Sequence, residues 1–133
     1  SACISWHGGC ALCVDYGDCL SPGVTVQAMG NHKMVNPLTA PGMTDLTAHT
    51  DFEAIFNSAA PAIASRLTTQ GVFLERLGIT QRAQALAQKL TGTALDTHIA
   101  AHRRLTHPDE MGNLFKVMGL AATTQELPPG LEV

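Results

Sequence analysis

An unbroken apolar run, CALCVD, occupies residues 10–15 and ends in a carboxylate. Gly8 and Gly9 precede the run, and Gly17 lies just beyond it. Apolar runs without alternation are typical of strands buried on both faces, as central parallel strands are. The pattern therefore predicts a central strand over residues 10–15, with Asp15 at its carboxyl end.

The second half of the chain predicts four helices and one strand. A helix should run from near Asp51 to about Ala60, because residues 50–53 have the spacing of a capping box and Pro61 follows. The next helix should end just before Gly78, a typical residue after a last helical turn. By apolar spacing, this helix and the two after it are expected at about 69–77, 80–90 and 94–105, and a strand at 114–121.

The strand predicted at 10–15 lacks obvious partners in the sequence that follows it. Residues 18–49 are rich in Gly and Pro, and only residues 24–28 alternate enough to predict a short strand. A strand buried on both faces needs neighbouring strands and helices above and below it. We therefore expect residues 1–133 to be the C-terminal part of a larger domain whose other strands precede Ser1.

Composition narrows the classes of partner. Hydrophobic residues make up 45% of the 133 residues, but charged residues only 14%, well below the usual ~25%. This shortfall suggests that part of the surface meets another protein or segment. The net charge is −3 and the basic residues are scattered, which disfavours nucleic acid. No apolar stretch approaches the ~18 residues of a membrane span.

All four cysteines lie within the first nineteen residues, which fits a reducing compartment better than a disulfide scaffold. Cys10 and Cys13 have the CxxC spacing of metal and redox sites. Residues three apart in a strand point to opposite faces, however, so the two thiols could not easily share one zinc ion. We expect two small core residues here instead.

Four segments in order resemble the C-terminal half of the MidA-like methyltransferases, a class I family dependent on S-adenosylmethionine. The family includes a mitochondrial arginine methyltransferase that acts in respiratory complex I assembly. The resemblance extends from about Gly8 to Ala121, with departures at Asn36 and Thr50, where the family more often has Asp and Val. The segments are GGCALCVDYGD, VQAMGNHKMVNPLTAPGMTDLTAHTDF, TQGVFLERLGITQRA and RLTHPDEMGNLFKVMGLA.

The resemblance implies an α/β fold: the C-terminal portion of a Rossmann-like class I methyltransferase sheet with additional helices. It implies methylation of protein arginine with S-adenosyl-L-methionine as cofactor. The glycine-rich cofactor loop belongs to the family's N-terminal half, so no cofactor-binding residue is expected in residues 1–133. The implied partners are that missing half and a protein substrate such as a complex I subunit. The implied location is the cytoplasm in bacteria and the mitochondrial matrix in eukaryotes.

A non-enzymatic role is the alternative. The low charge would then mark a face that docks on a subunit of a respiratory complex, and the chain would be a binding or assembly module. The upstream sequence separates the two hypotheses. A glycine-rich loop there favours the enzyme, and its absence favours the module.

Four residues are candidates for the site, two of them catalytic in a supporting role. Asp15 lies at the carboxyl end of the predicted strand, where open α/β sheets bind their ligands. It could orient substrate or could cap a turn at Gly17. His49 could hold a substrate carbonyl or carboxylate, or be satisfied by nearby backbone. Tyr16 and His32 are candidates for substrate binding, although Tyr16 could equally be a half-buried amphipathic residue. The decisive carboxylate is expected in the missing half.

Two further pairs have mainly structural explanations. His98 and His102 have the i, i+4 spacing of a two-histidine metal face, but no third ligand is evident, and we expect a solvated helix face. Gly71 and Gly112 look like positions of close backbone packing, where a Cβ would not fit.

We predict that the purified chain carries no stoichiometric metal. The two CxxC thiols should point to opposite faces of a strand, and the His98–His102 pair lacks a third ligand. Elemental analysis of the purified protein checks this. About one zinc ion per chain would contradict the prediction.

Overall fold

The computed structural model describes residues 2–20 and 23–132, which form two β-sheets and five α-helices. The strands are β1 (Cys10–Asp18), β2 (Gln27–Gly30), β3 (Lys33–Val35), β4 (Asp45–Thr47), β5 (Thr50–Asp51), β6 (Ile63–Ala64), β7 (Thr68–Thr69) and β8 (Phe115–Ala121). The helices are α1 (Ala2–His7), α2 (Phe52–Asn57), α3 (Gln70–Arg76), α4 (Ile79–Ala87) and α5 (Gly92–Thr106), followed by a kinked turn, Pro108–Gly112. Within these described ranges, no helix has the length and apolar character needed to cross a membrane.

The larger sheet is built around the antiparallel pair of β1 and β8. Their register extends from Cys10 opposite Ala121 to Tyr16 opposite Phe115. On the other side of β1, β5 pairs in parallel at only Gly17 and Asp18. The short strands β6 and β7 both pair antiparallel with β8, so the strand order is β5-β1-β8-β6 with β7 beside β8.

The strand predicted at 10–15 is confirmed and extends to Asp18, but within the described residues it is not covered on both faces. Its long neighbour is antiparallel, and its side chains alternate between exposed and half-buried. On one face Leu12 is 47% exposed and Val14 45% exposed. The expected opposite orientation of Cys10 and Cys13 is confirmed, but Cys10 is exposed and is not a core residue. The physical reason is that, among the described residues, only one face of β1 is covered.

The strand that is buried on both faces is β8. Its neighbouring residues Val117 and Met118 point to opposite faces and are 0% and 3% exposed. Phe52 of α2, also 0% exposed, lines the same cavity as Met118. On the opposite face, a Cβ at Gly119 would contact Leu131, which anchors the C-terminal segment there. The core therefore lies around β8, in the middle of the sheet.

The predicted helices are confirmed, with shifted ends. Helix α2 begins near Asp51 as expected, but its cap lies one residue later than the capping box predicts: Asp51 Oδ1, and not Thr50, accepts a hydrogen bond from Ala54 N at 2.9 Å. The helix ends at Asn57 and not near Ala60. Helix α3 is followed by Gly78 in the left-handed region (φ 82°), as expected. Helix α5 begins at Gly92, two residues earlier than predicted.

A second sheet, of order β3-β2-β4, was mostly missed from the sequence. Only one of its strands was expected, at 24–28, and β2 lies slightly later, at Gln27–Gly30. The turn between β2 and β3 has Asn31 and His32 at φ 49° and 61°, the backbone of a two-residue hairpin turn. Strands of three or four residues, separated by Gly and Pro, are too short for an alternating apolar pattern to be recognised in the sequence.

The close packing expected at Gly71 and Gly112 is confirmed. A Cβ on Gly71 would lie 2.6 Å from the carbonyl oxygen of Thr106, at the end of α5. A Cβ on Gly112 would collide with the same oxygen and lie 2.6 Å from the His107 oxygen. These two glycines therefore let α3 and the turn after α5 approach the end of α5.

The solvated helix face expected for His98 and His102 is wrong. Both side chains are half-buried between α4 and α5. Nε2 of His98 lies 2.9 Å from the Ala83 oxygen, and Nε2 of His102 lies 3.1 Å from Thr80 Oγ1. The i, i+4 spacing places both rings on one face of α5, and that face packs against α4.

We predict that Gly112→Ala destabilises the protein by about 1–3 kcal/mol, because the added methyl group overpacks a backbone contact. Gly30→Ala is the matched control, since the atoms nearest to its Cβ would be side-chain methyl groups and not backbone atoms: Thr44 at 3.3 Å and Val35 at 3.7 Å. Chemical denaturation of the two variants measures the difference. Equal stabilities would show that the approach at Gly112 is not a constraint.

Candidate functional site

The carboxyl end of β1 holds the half-buried carboxylate of Asp15. Its Oδ1 accepts a hydrogen bond from Tyr16 N at 2.8 Å, and its Oδ2 accepts one from Thr50 Oγ1 at 2.7 Å. The turn cap considered at Gly17 is therefore wrong, because the strand continues through Gly17 to Asp18. Instead, Asp15 connects β1 to the segment that contains β5.

Gly17 is an interior residue of β1 and not its boundary. It is buried, and a Cβ there would collide with the carbonyl oxygen of Thr50, its partner in the parallel pairing. Only a glycine permits this approach at an ordinary strand conformation. The close contact brings residues 49–51 against the end of β1.

Three rings stand in a row beside this contact. The Tyr16 and His49 rings have centroids 5.8 Å apart at 73°, and the Tyr16 and Phe115 rings have centroids 5.8 Å apart at 86°. Both are edge-to-face arrangements, which aromatic pairs favour. Tyr16 and Phe115 are also direct cross-strand partners of β1 and β8. The structure therefore brings together Asp15, Tyr16 and His49, three of the four predicted site residues.

The main chain and the side chain of His49 make separate contacts. Its backbone N donates to Thr25 Oγ1 at 2.9 Å. Its side chain is exposed and lines a cleft at the end of β1. His32 lies elsewhere, exposed in the turn of the second sheet, and it does not line this cleft. A substrate-binding role for His32 stays a prediction.

The cleft has a volume of about 610 Å³ and opens between the end of β1 and the turn that follows α5. Its charged groups are mostly carboxylates. Glu110 Oε1 accepts from Arg103 Nε at 2.9 Å, and the Asp109 side chain is 89% exposed. The lining residues are Gly17, Asp18, Leu20, His49, Pro108, Asp109, Glu110, Asn113, Leu114 and Lys116.

Several residues in or beside the cleft were not predicted as site residues from the sequence. Asp109 and Glu110 follow a helix in a segment without periodicity, and only their position in the chain before β8 brings them to β1. Phe115 was expected only as a strand residue. One feature of the sequence could have indicated these cleft residues: the segment HPDEM, in which a proline and two carboxylates follow the predicted helix.

The cleft by itself does not fit an adenosyl cofactor. No G-x-G-x-x-G turn between a strand and a helix, the usual cradle of such a cofactor, occurs in the sequence. The carboxylates of the cleft can bind a cationic group. Within residues 2–20 and 23–132, no three His, Cys, Asp or Glu side chains are arranged to hold a metal ion.

Comparison with known proteins identifies one family. A family model described as "putative S-adenosyl-L-methionine-dependent methyltransferase" matches residues 2–72. The mitochondrial protein arginine methyltransferase NDUFAF7 of Xenopus laevis is 36% identical over 116 residues, which cover 85% of this chain and 26% of that protein. The human protein of the same name is 32% identical over 119 residues, which cover 88% of this chain and 27% of the relative.

Two solved structures from Burkholderia thailandensis share the fold. One, an uncharacterised protein, is 27% identical with a TM-score of 0.77 over 94% of this chain and 36% of its own. The other, bound to S-adenosyl-homocysteine, is 28% identical with a TM-score of 0.72 over 89% of this chain and 33% of its own. This likeness confirms the α/β fold expected from the sequence, part of a Rossmann-like sheet with added helices. The chain spans about a quarter to a third of the length of these proteins.

Proposed function

Because the chain belongs to this family of S-adenosyl-L-methionine-dependent methyltransferases, we propose that residues 1–133 are the C-terminal part of one methyltransferase domain, with the cofactor-binding part upstream. The unpaired edge of β1 carries the proposal. Between Cys10 and Tyr16, β1 pairs with β8 on one side, and within the described residues no strand pairs with its other edge. Leu12 and Val14 are exposed on one face of the same strand, so the unpaired edge suits further strands and the uncovered face suits helices.

The proposed reaction is methylation of arginine in a protein substrate, as the names of the relatives suggest. S-adenosyl-L-methionine supplies the methyl group, and its contacts come mainly from the upstream part. An arginine stays protonated near neutral pH, so a site must orient the guanidinium and accept a proton from it. Asp18 and Asp109, exposed at the cleft, can bind such a cation through charge-assisted hydrogen bonds.

The proposed location follows from the names of the relatives, and the proposed substrate follows from the family resemblance of the sequence. By that resemblance the protein substrate would be a subunit of respiratory complex I. In a eukaryotic source the enzyme would act in the mitochondrial matrix, since the relatives are mitochondrial proteins. In a bacterial source it would act in the cytoplasm.

The second sheet favours an alternative, a non-enzymatic assembly module. Its strands and the loop between β3 and β4 expose large apolar side chains, a composition suited to protein contacts. They are Met29 (46% exposed), Met34 (60%), Leu38 (85%), Met43 (82%) and Leu46 (62%). The two functions are not exclusive, because a methyltransferase also needs a surface that holds its protein substrate.

We expect the longer protein that contains this chain and its upstream sequence to add a methyl group to arginine in peptides, detected by mass spectrometry. The Asp109→Asn variant should raise KM for the arginine peptide about 3-fold or more, because it removes a negative charge that binds the guanidinium in the cleft. Asp96→Asn on the exposed face of α5 is the control. Equal methylation of peptides with lysine in place of arginine would contradict the arginine assignment. No methylation of any peptide would favour the assembly module.

We also expect the 133-residue chain alone to bind no S-adenosyl-L-methionine measurably, since its cleft lacks a cofactor cradle. Calorimetry on this chain and on the longer protein compares the two. Binding by the longer protein alone supports the proposed division. A micromolar dissociation constant for the short chain would refute it.

A further inference from the structure

Asp15 makes its contacts to the protein and not toward the cleft. Both carboxylate oxygens accept short hydrogen bonds, one from Tyr16 N and one from Thr50 Oγ1. Asp15 does not line the cleft, whereas His49 does. Lys116 lies opposite Asp15 in the register of β1 and β8, but its Nζ donates to the Asn113 oxygen at 2.8 Å. The hydroxyl of Thr50 is therefore the side-chain partner of this carboxylate.

Thr50 directly follows His49, so its hydrogen bond fixes the backbone next to a cleft residue. The strand β5 that contains Thr50 has only two residues and two partners in β1. So short a pairing places few constraints on the preceding residue. A hydrogen bond to an ionised, half-buried carboxylate is among the stronger ones in proteins. The hydrogen bond between Thr50 and Asp15 therefore holds this segment in addition to the backbone pairing with Gly17.

The side chain of His49 meets Tyr16, the residue after Asp15. Asp15 thus holds Tyr16 through its backbone N and His49 through Thr50. The His49 ring packs against Tyr16 at a 5.8 Å centroid distance, and Phe115 supports Tyr16 from its other side. The two oxygens of one carboxylate are therefore connected to both members of the ring pair, of which His49 lines the cleft.

We propose that Asp15 is a positioning residue, which acts through Thr50 to hold His49 against Tyr16 so that His49 contacts the acceptor substrate in the cleft. The contact with acceptor rests on the proposed function, whereas the positioning of the rings does not. The proposal assigns the substrate contact to His49 and gives Asp15 no direct contact with the acceptor.

The first experiment measures the rings in the 133-residue chain. Tyr16 is the only tyrosine in the sequence, so ¹³C-labelled tyrosine gives one set of ring resonances in an NMR spectrum. Thr50→Val keeps the shape of the side chain and removes its hydroxyl, and it should shift the Tyr16 and His49 ring signals. Thr50→Ser restores the hydroxyl and should return them. Thr47→Val, on exposed β4, is the matched control.

The second experiment measures kinetics in the longer protein that includes the upstream sequence. Thr50→Val should raise KM for the acceptor peptide about 5-fold or more with kcat changed about 2-fold or less, because binding geometry is lost while the chemical groups remain. Asp15→Asn should act in the same direction, since it replaces the charged oxygen that accepts from Thr50 with an uncharged amide group and so weakens the same connection. The double variant should be no worse than the poorer single variant, because both changes act on one connection.

Each result decides the proposal. Additive effects of Asp15→Asn and Thr50→Val would mean that Asp15 acts independently of Thr50, and would overturn it. Unshifted Tyr16 and His49 signals in Thr50→Val would overturn it as well, as would shifted signals with an unchanged KM. If the wild-type protein methylates no peptide, the proposed function and the acceptor contact both fail. The ring signals then still decide whether Asp15 positions His49.

Discussion

The antiparallel pairing of β1 with β8 is the contact on which the rest of the structure depends. It joins residues 10–16 to residues 115–121, near opposite ends of the chain. The chain between them leaves β1 at its carboxyl end and returns at the start of β8, and on the way it adds β5, β6 and β7 to the same sheet. The cleft forms at this point of departure and return, which explains why its walls come from residues 17–20 and 108–116 together with His49.

A pairing so distant in sequence costs chain entropy, which burial around β8 offsets. Val117 and Met118 bury the two faces of this strand, and β6 and β7 pair along its second edge. The helical segment before β8 is held close by Gly71 and Gly112, where backbone meets backbone at the end of α5. The packing at these two glycines thus also fixes the turn after α5, which forms the wall of the cleft opposite β1.

Near the cleft, Asp15 and the two residues after it bring together three distant parts of the chain. Asp15 holds the segment that follows His49, Tyr16 lies between the rings of His49 and Phe115, and Gly17 allows the approach of Thr50. Our proposal assigns the cofactor to the upstream part of the domain, which leaves this end of the sheet to arrange the acceptor. Our proposals assign it that task, with His49 as the contact and Asp15 as its support.

The sequence by itself determined the elements whose signals are local: the apolar runs of β1 and β8, the start of α2 near Asp51, the turn at Gly78 and the close approaches at Gly71 and Gly112. Its resemblance to a methyltransferase family, carried by four segments in order, indicated the fold class. Only the tertiary structure decided that β8 and not β1 is buried on both faces, that Gly17 lies inside a strand, and that Phe115 and Asp109 join the site. The reason is physical: periodicity and capping act over a few residues, whereas strand neighbours and covered faces depend on contacts between residues a hundred positions apart.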